Sequence, residues 1–144
     1  MESALDRLKK LTNKISSYEL TRKENIKRLE ALYKTLQIDK KVKNFEQLFE
    51  YKAINLSGVY LQKEHFGEIQ EGKYLQLLAI TKVDGKTKNI SLGYFGRVEN
   101  VAEDVRNNVV EFVIRYRFEK SFITLENYYD LLKDFKEESC SSSM

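Results

Sequence analysis

The sequence predicts an α+β fold: a long N-terminal helix with a coiled-coil-like seam, a small three-stranded antiparallel sheet packed on a helix, and a C-terminal helix. Three observations predict it. Through residues 3–37 apolar positions recur at alternating spacings of 4 and 3, the period of a helix that buries one stripe. Further on, Gly72-Lys-Tyr-Leu-Gln-Leu-Leu-Ala-Ile80 and Asn89-Ile-Ser-Leu-Gly-Tyr-Phe95 bracket Val83-Asp-Gly-Lys86, and Asp-Gly suits a hairpin turn that needs φ > 0. Beyond Phe95 the apolar residues Val98, Val101, Ala102, Val105, Val109, Phe112, Val113 and Tyr116 return to helical spacing.

In the first helix, Ala4, Leu8, Leu11, Ile15, Tyr18, Arg22, Asn25, Leu29, Leu32 and Leu36 occupy consecutive seam positions, and eight of these ten are apolar. Such a seam either pairs with a second copy or packs on the chain's own C-terminal half, with Arg22 and Asn25 at a bend. The first option is preferred. It makes the chain a homodimer through Leu8, Leu11, Ile15, Leu29, Leu32 and Leu36, with Arg22 and Asn25 as polar seam positions that fix register. A short second helix is expected from Asn44, where Gln47 three residues on resembles a capping box and Phe45, Leu48 and Phe49 give an apolar face.

Gly58-Val-Tyr-Leu-Gln62 is the expected third strand. If Tyr74 faces the helix, alternation puts Gln76, Leu78 and Ile80 beside it. Leu75, Leu77, Ala79 and Thr81 then line the outer face with Asn89 and Ser91. A shift of one residue swaps the faces and leaves Gln76 outward. Residues 109–118 alternate like a strand, yet they continue the helical spacing from Val98 without a turn signal, so helix is expected. A final helix is expected over residues 125–136, with Thr124 as N-cap and Leu125, Tyr128, Leu132 and Phe135 as its stripe. The organisation is thus a helical segment 1–54, a small α+β domain 55–137 and a low-complexity, disordered tail 138–144.

Charged residues are 33% and apolar residues 42% of the 144, ordinary for a globular chain with much exposed helix. No run approaches the ~18 apolar residues of a membrane span. The N-terminus lacks the basic and apolar regions of a signal peptide, so an intracellular location, cytoplasmic or nuclear, and no membrane partner are expected. Cys140 is the only cysteine, which excludes an intramolecular disulfide. The net charge is +3, unevenly spread: 13 basic and 8 acidic residues over 1–54 give +5, and 12 and 14 over 55–144 give −2.

No catalytic constellation is present. His65 has only Glu64 beside it in sequence, and Cys140 sits in a Ser-rich tail with no scaffold to position a base. Glu64, Glu68 and Glu71 read as a solvated acidic loop. Phosphate-binding, zinc-protease and nucleophile-elbow motifs are absent. No enzyme activity, cofactor or metal is expected. Lys9, Lys10, Lys14, Lys23, Lys27 and Arg28 read as a solvated face, because Glu19, Glu24 and Glu30 are interspersed.

Ser57-Gly58-Val59-Tyr60, Gly72-Lys73-Tyr74, Leu92-Gly93-Tyr94-Phe95 and Glu99-Asn-Val-Ala102-Glu103 together resemble the Apetala-type DNA-binding domain over residues 56–112. That family includes plant ethylene-response factors and modules of phage homing endonucleases and integrases. The resemblance implies a three-stranded antiparallel sheet on one helix, with the outer face of the sheet in the DNA major groove. If the chain binds DNA, contacts to phosphates are expected from Lys82, Lys86 and Lys88, clustered at one hairpin, and from Arg97, with Asn89, Ser91 or Gln76 near bases. The family's Arg and Trp are missing from that face, and the −2 charge of the C-terminal part weakens phosphate attraction. Two functions are therefore expected. The first is a DNA-binding regulator or phage or mobile-element accessory protein with double-stranded DNA as partner. The alternative is an inhibitor or adaptor that binds a protein through an apolar sheet face and the coiled coil.

Overall fold

The first helix starts where Ser3 caps it. The Asp6 backbone N–H donates to the Ser3 hydroxyl at 3.1 Å, and the Ser3 N–H returns to the Asp6 carboxylate at 3.4 Å. This reciprocal box satisfies two donors that the first turn leaves free. Helix α1 spans Ala4–Thr35 and stops at Leu36, after which Gln37 turns the chain in a left-handed conformation, φ 59°. Two 3₁₀ turns follow, Ile38–Lys40 and Phe45–Glu50. The expected capping box at Asn44 does not form: its side chain makes no cap bond, and the segment stays 3₁₀. A computed structural model describes the backbone of residues 2–142 and the side chains of residues 2–14 and 17–135.

Strand β1 is Ala53–Ser57, β2 is Tyr74–Val83 and β3 is Lys86–Arg97, in the antiparallel order β1-β2-β3. The first strand thus lies before Gly58, not over residues 58–62. Gly58 ends it at φ +98°, and a Cβ there would sit 2.9 Å from the Tyr74 carbonyl oxygen, so only glycine fits. Past it, Val59 makes a single bridge to Ile69. Between β2 and β3, Asp84 and Gly85 take φ 53° and 78°, the two positive values that a twist-matched two-residue hairpin needs.

The register decides which face is which. Leu75, Leu77 and Ala79 are fully buried, and Tyr74 is half exposed. The faces are therefore those of the one-residue shift: Leu75 and Leu77 are core, and Tyr74, Gln76, Leu78 and Ile80 face outward. An outer face of Leu75, Leu77 and Ala79 is overturned, and with it an apolar partner surface made of them. Irregularities between Leu75/Gln76 and Leu77/Leu78 leave Leu92 and Phe95 opposite no β2 residue. Leu92 is buried and Phe95 packs against the core.

Helix α2 runs unbroken over Glu103–Ser142, after a 3₁₀ turn at Val98–Asn100. The two helices expected from residues 98 and 125 are one, because neither Gly nor Pro occurs after Gly96 to interrupt it. Residues 109–118 lie inside it as helix. The expected disordered tail falls on residues whose side chains, and from Ser143 the backbone, lie outside the described residues.

One core joins the segments. Leu29, Leu32, Tyr33 and Leu36 of α1 meet Leu75, Leu77 and Leu92 of the sheet and Val109, Phe112, Val113 and Tyr116 of α2. Tyr116 donates its hydroxyl to the Leu48 carbonyl at 2.9 Å, tying the second 3₁₀ turn to α2. Its desolvation there pushes its pKa up to about 12. Ala102, an expected core residue, is exposed because it precedes α2.

Candidate nucleic-acid interface

Cross-strand pairing builds the outer face as a set of rows. Ser57, Gln76 and Tyr94 form one row, Asn55, Leu78 and Ser91 the next, and Ala53, Ile80 and Asn89 the third. Tyr74 pairs with Arg97 at one end, and Lys82 with Thr87 at the other. Directly paired residues project from the same face, so Gln76, Asn89, Ser91, Arg97 and Lys82 lie on one face, with Arg97 and Lys82 at its two ends. Lys86 and Lys88 pair with Val83 and Thr81, which puts them on the opposite face at the hairpin tip. All three lysines are exposed.

The centre of the face is ordered by its own contacts. The Gln76 amide donates to the Ser91 hydroxyl at 3.0 Å, leaving the amide oxygen for another donor. The Tyr74 and Tyr94 rings lie 5.7 Å apart and both are more than half exposed. At the Arg97 end, Glu99 accepts from the Gly72 backbone N–H, and that bond is the main cause of its lowered pKa. Arg97 lies 3.5 Å from the same carboxylate, which partly offsets its charge.

Strand geometry sets the size of this face. Two inter-strand spacings make it roughly 10 Å across, and Tyr74 to Lys82 is about 26 Å along the strand. The major groove is about 12 Å wide. Tyr74, Tyr94, Asn55 and Ser57 escaped the sequence reading. The irregular β2–β3 pairing that sets the positions of Ser91 and Tyr94 breaks the alternation from which faces are read, and its one local trace is the Gly93 and Gly96 that flank Tyr94-Phe95.

A second polar cluster lies between the helices. Arg28 grips Glu111 with two bonds, Nε to Oε2 at 2.8 Å and Nη2 to Oε1 at 3.1 Å, and Arg115 Nε reaches the same carboxylate at 2.6 Å. Hydrogen bonding from Arg28, then Arg115, holds the Glu111 carboxyl at a pKa of about 2. Asn25, buried in the seam, donates to the Arg115 carbonyl at 2.9 Å and accepts from its guanidinium at 3.0 Å. Arg22 binds Glu119 and Glu126. Among the described residues no buried side-chain donor or acceptor is left without a partner, so the cluster reads as a helix–helix lock. Beside it, Phe66, Val110, Ile114 and Phe118 line a groove of about 560 Å³ with Asn25 and Arg115 at its polar wall.

The expected dimer seam is divided. Leu29, Leu32 and Leu36 are buried in the chain's own core, so they are not available to a second copy. Leu8 and Leu11 are exposed, and the Ile15 side chain lies outside the described residues. His65 is exposed and its Nδ1 lies 3.2 Å from Glu68. Among the described residues no group of three or more His, Cys, Asp or Glu is placed to hold a metal ion, and no helix is long and apolar enough to cross a membrane. Compared with protein-family models, with curated proteins and with solved structures, the chain finds no match in any of the three.

Proposed function

We propose that this chain is a non-enzymatic DNA-binding regulator or mobile-element accessory protein, dimeric, that meets double-stranded DNA with the outer face of its sheet. The observation that supports the reading is the convergence of Gln76, Ser91 and Asn89 on that face, with Arg97 and Lys82 at its two ends. A Gln amide reads adenine through N6 and N7, and Leu78 and Ile80 offer apolar contact to a thymine methyl. The Apetala-type resemblance points to the same face. Affinity is modest on this reading, because few cations are offered to phosphates and one of them, Arg97, shares Glu99.

Fluorescence anisotropy on a random duplex pool tests it, at about 50 and about 200 mM salt, where each neutralised phosphate contributes about −0.9 to the log–log slope. Binding that weakens with that slope is the expected result. No binding at the lower salt overturns the reading. A second reading is favoured by a separate observation. The outer halves of both helices expose Leu5, Leu8, Leu11, Leu125, Leu132 and Phe135, as an adaptor that captures a protein partner would. A chain that fails to bind duplex at low salt leaves that reading in place.

A further inference from the structure

Helices α1 and α2 run antiparallel where they touch: Arg28 meets Glu111, Asn25 meets Arg115, and Tyr18 meets Phe122. Outward of these contacts each helix continues as an arm. On α1, Leu5, Leu8 and Leu11 are 58%, 59% and 55% exposed; on α2, Leu125, Tyr128, Leu132 and Phe135 are 64%, 64%, 66% and 67% exposed. The α2 set is spaced 3, 4, 3, so it forms one stripe. Contiguous apolar faces of this kind mark an interaction surface.

The charges identify the occupant. Residues 4–20 carry four bases, Arg7, Lys9, Lys10 and Lys14, against Asp6 and Glu19, a balance of +2. Residues 121–135 carry three acids, Glu126, Asp130 and Asp134, against Lys133, a balance of −2. Two α1 arms or two α2 arms side by side repel. A basic arm against an acidic arm attracts, and every copy owns one of each. That is the self-complementarity a two-fold interface requires, because each contact then occurs twice. The same chemistry already operates within the chain, where Arg22 and Arg28 of α1 face Glu119, Glu126 and Glu111 of α2.

We infer that two copies associate by laying the α1 arm of one along the α2 arm of the other, in both directions, to form a four-helix assembly. The inference rests on the dimeric reading above and names its surface: the partner of Leu8 and Leu11 is the Tyr128–Leu132 stripe, not a second α1. Covering both arms of two copies removes roughly 1,500 Å², the size of a specific interface.

Sedimentation equilibrium of the full chain and of Tyr128→Glu/Leu132→Glu tests it. Both positions are exposed in the single chain, so helix content should hold while the dimer dissociation constant rises at least tenfold. Carbodiimide cross-linking of mixed unlabelled and ¹⁵N-labelled copies should join Lys9, Lys10 or Lys14 of one copy to Asp130 or Asp134 of the other. A dimer that ignores the α2 double substitution, or whose between-copy links join only α1 to α1, overturns this surface and leaves the dimeric reading standing. A single-chain mass for the wild type at micromolar concentration overturns both.

Discussion

Arg22 and Glu119 form a two-point ion pair across the helix seam. Arg22 Nε lies 2.9 Å from Oε1 and 3.1 Å from Oε2 of a carboxylate that is only 4% exposed. The pair explains why a polar residue stands in the middle of an otherwise apolar stripe. Arg22 is the counter-charge of a buried acid 97 positions away in sequence, and it also reaches Glu126 further out along α2. The seam therefore encodes antiparallel packing of α1 on α2 in this chain, with a defined register.

Removing one partner should then cost more than removing both. Arg22→Met leaves Glu119 buried and uncompensated, which should destabilise the fold by about 3 kcal/mol, the low end for a broken buried pair because water still reaches Arg22. Arg22→Met combined with Glu119→Leu should recover most of that loss. Urea denaturation of the two variants and the wild type measures both values. Equal losses in single and double variants would show that the pair is not coupled.

Glu111 contributes to the acid limb of stability. Its folded pKa is held at about 2 by Arg28 and Arg115, below the ordinary carboxylate value. A depressed pKa means that the folded state binds the proton less readily than the unfolded chain. Its contribution is therefore complete above about pH 4.5 and is lost as pH falls from there toward 2. Glu111→Gln should lower stability at pH 7 and flatten the decline between pH 4.5 and 2. Melting midpoints of both proteins across that window check it, and parallel curves would refute it.

The elements were readable where the pattern is local. The α1 helix, the Asp84-Gly85 turn and the helical run through residues 109–118 all rest on neighbours within a turn or two, and the structure has each of them, although α2 starts at Glu103 and Val98–Asn100 is a 3₁₀ turn. What failed needed distant partners. Alternation gives two sheet faces but not which one meets α2. That choice is fixed by packing with Leu29 and Phe112, and Tyr74 next to Gly-Lys carries no signal of it. Likewise the heptad spacing of Leu29, Leu32 and Leu36 is the same whether the seam closes on a second copy or on the chain's own core. Of the candidate site, Gln76, Asn89, Ser91, Lys82, Lys86, Lys88 and Arg97 were named from the sequence; the pairing puts Gln76 on one face with Asn89, Ser91, Lys82 and Arg97, and Lys86 and Lys88 on the other. The outward placement of Tyr94 was not readable, because the irregular pairing that produces it leaves only the flanking Gly93 and Gly96 as a local trace.

The face assignment makes opposite predictions for adjacent residues. Leu77→Ala empties a fully buried position and should cost about 2–5 kcal/mol. Leu78→Ala, one residue along and on the half-exposed outer face, should cost under about 1 kcal/mol. Chemical denaturation of the two single variants decides it. A larger loss at Leu78 would reverse the sheet and remove Gln76 and Ser91 from the outer face.

If this face binds DNA as proposed, base reading and phosphate attraction on it can be separated. Gln76 sits on the middle strand, bonded to Ser91, so Gln76→Ala should lower affinity for the preferred duplex by about 1–3 kcal/mol and leave the salt slope as it was. Lys82, on the outer face, and Lys86 and Lys88, on the opposite face, are all exposed around the hairpin tip. Their joint replacement by Ala should weaken binding on every sequence alike. It should also reduce the salt slope by about one unit for each lysine that had neutralised a phosphate. Each substitution lies outside the core, so melting midpoints should stay near the wild type. Anisotropy titrations on preferred and scrambled duplexes at two salt concentrations resolve the two effects. If the triple lysine variant keeps full affinity and slope, the hairpin tip does not touch DNA. If Gln76→Ala weakens both duplexes equally, Gln76 reads no base.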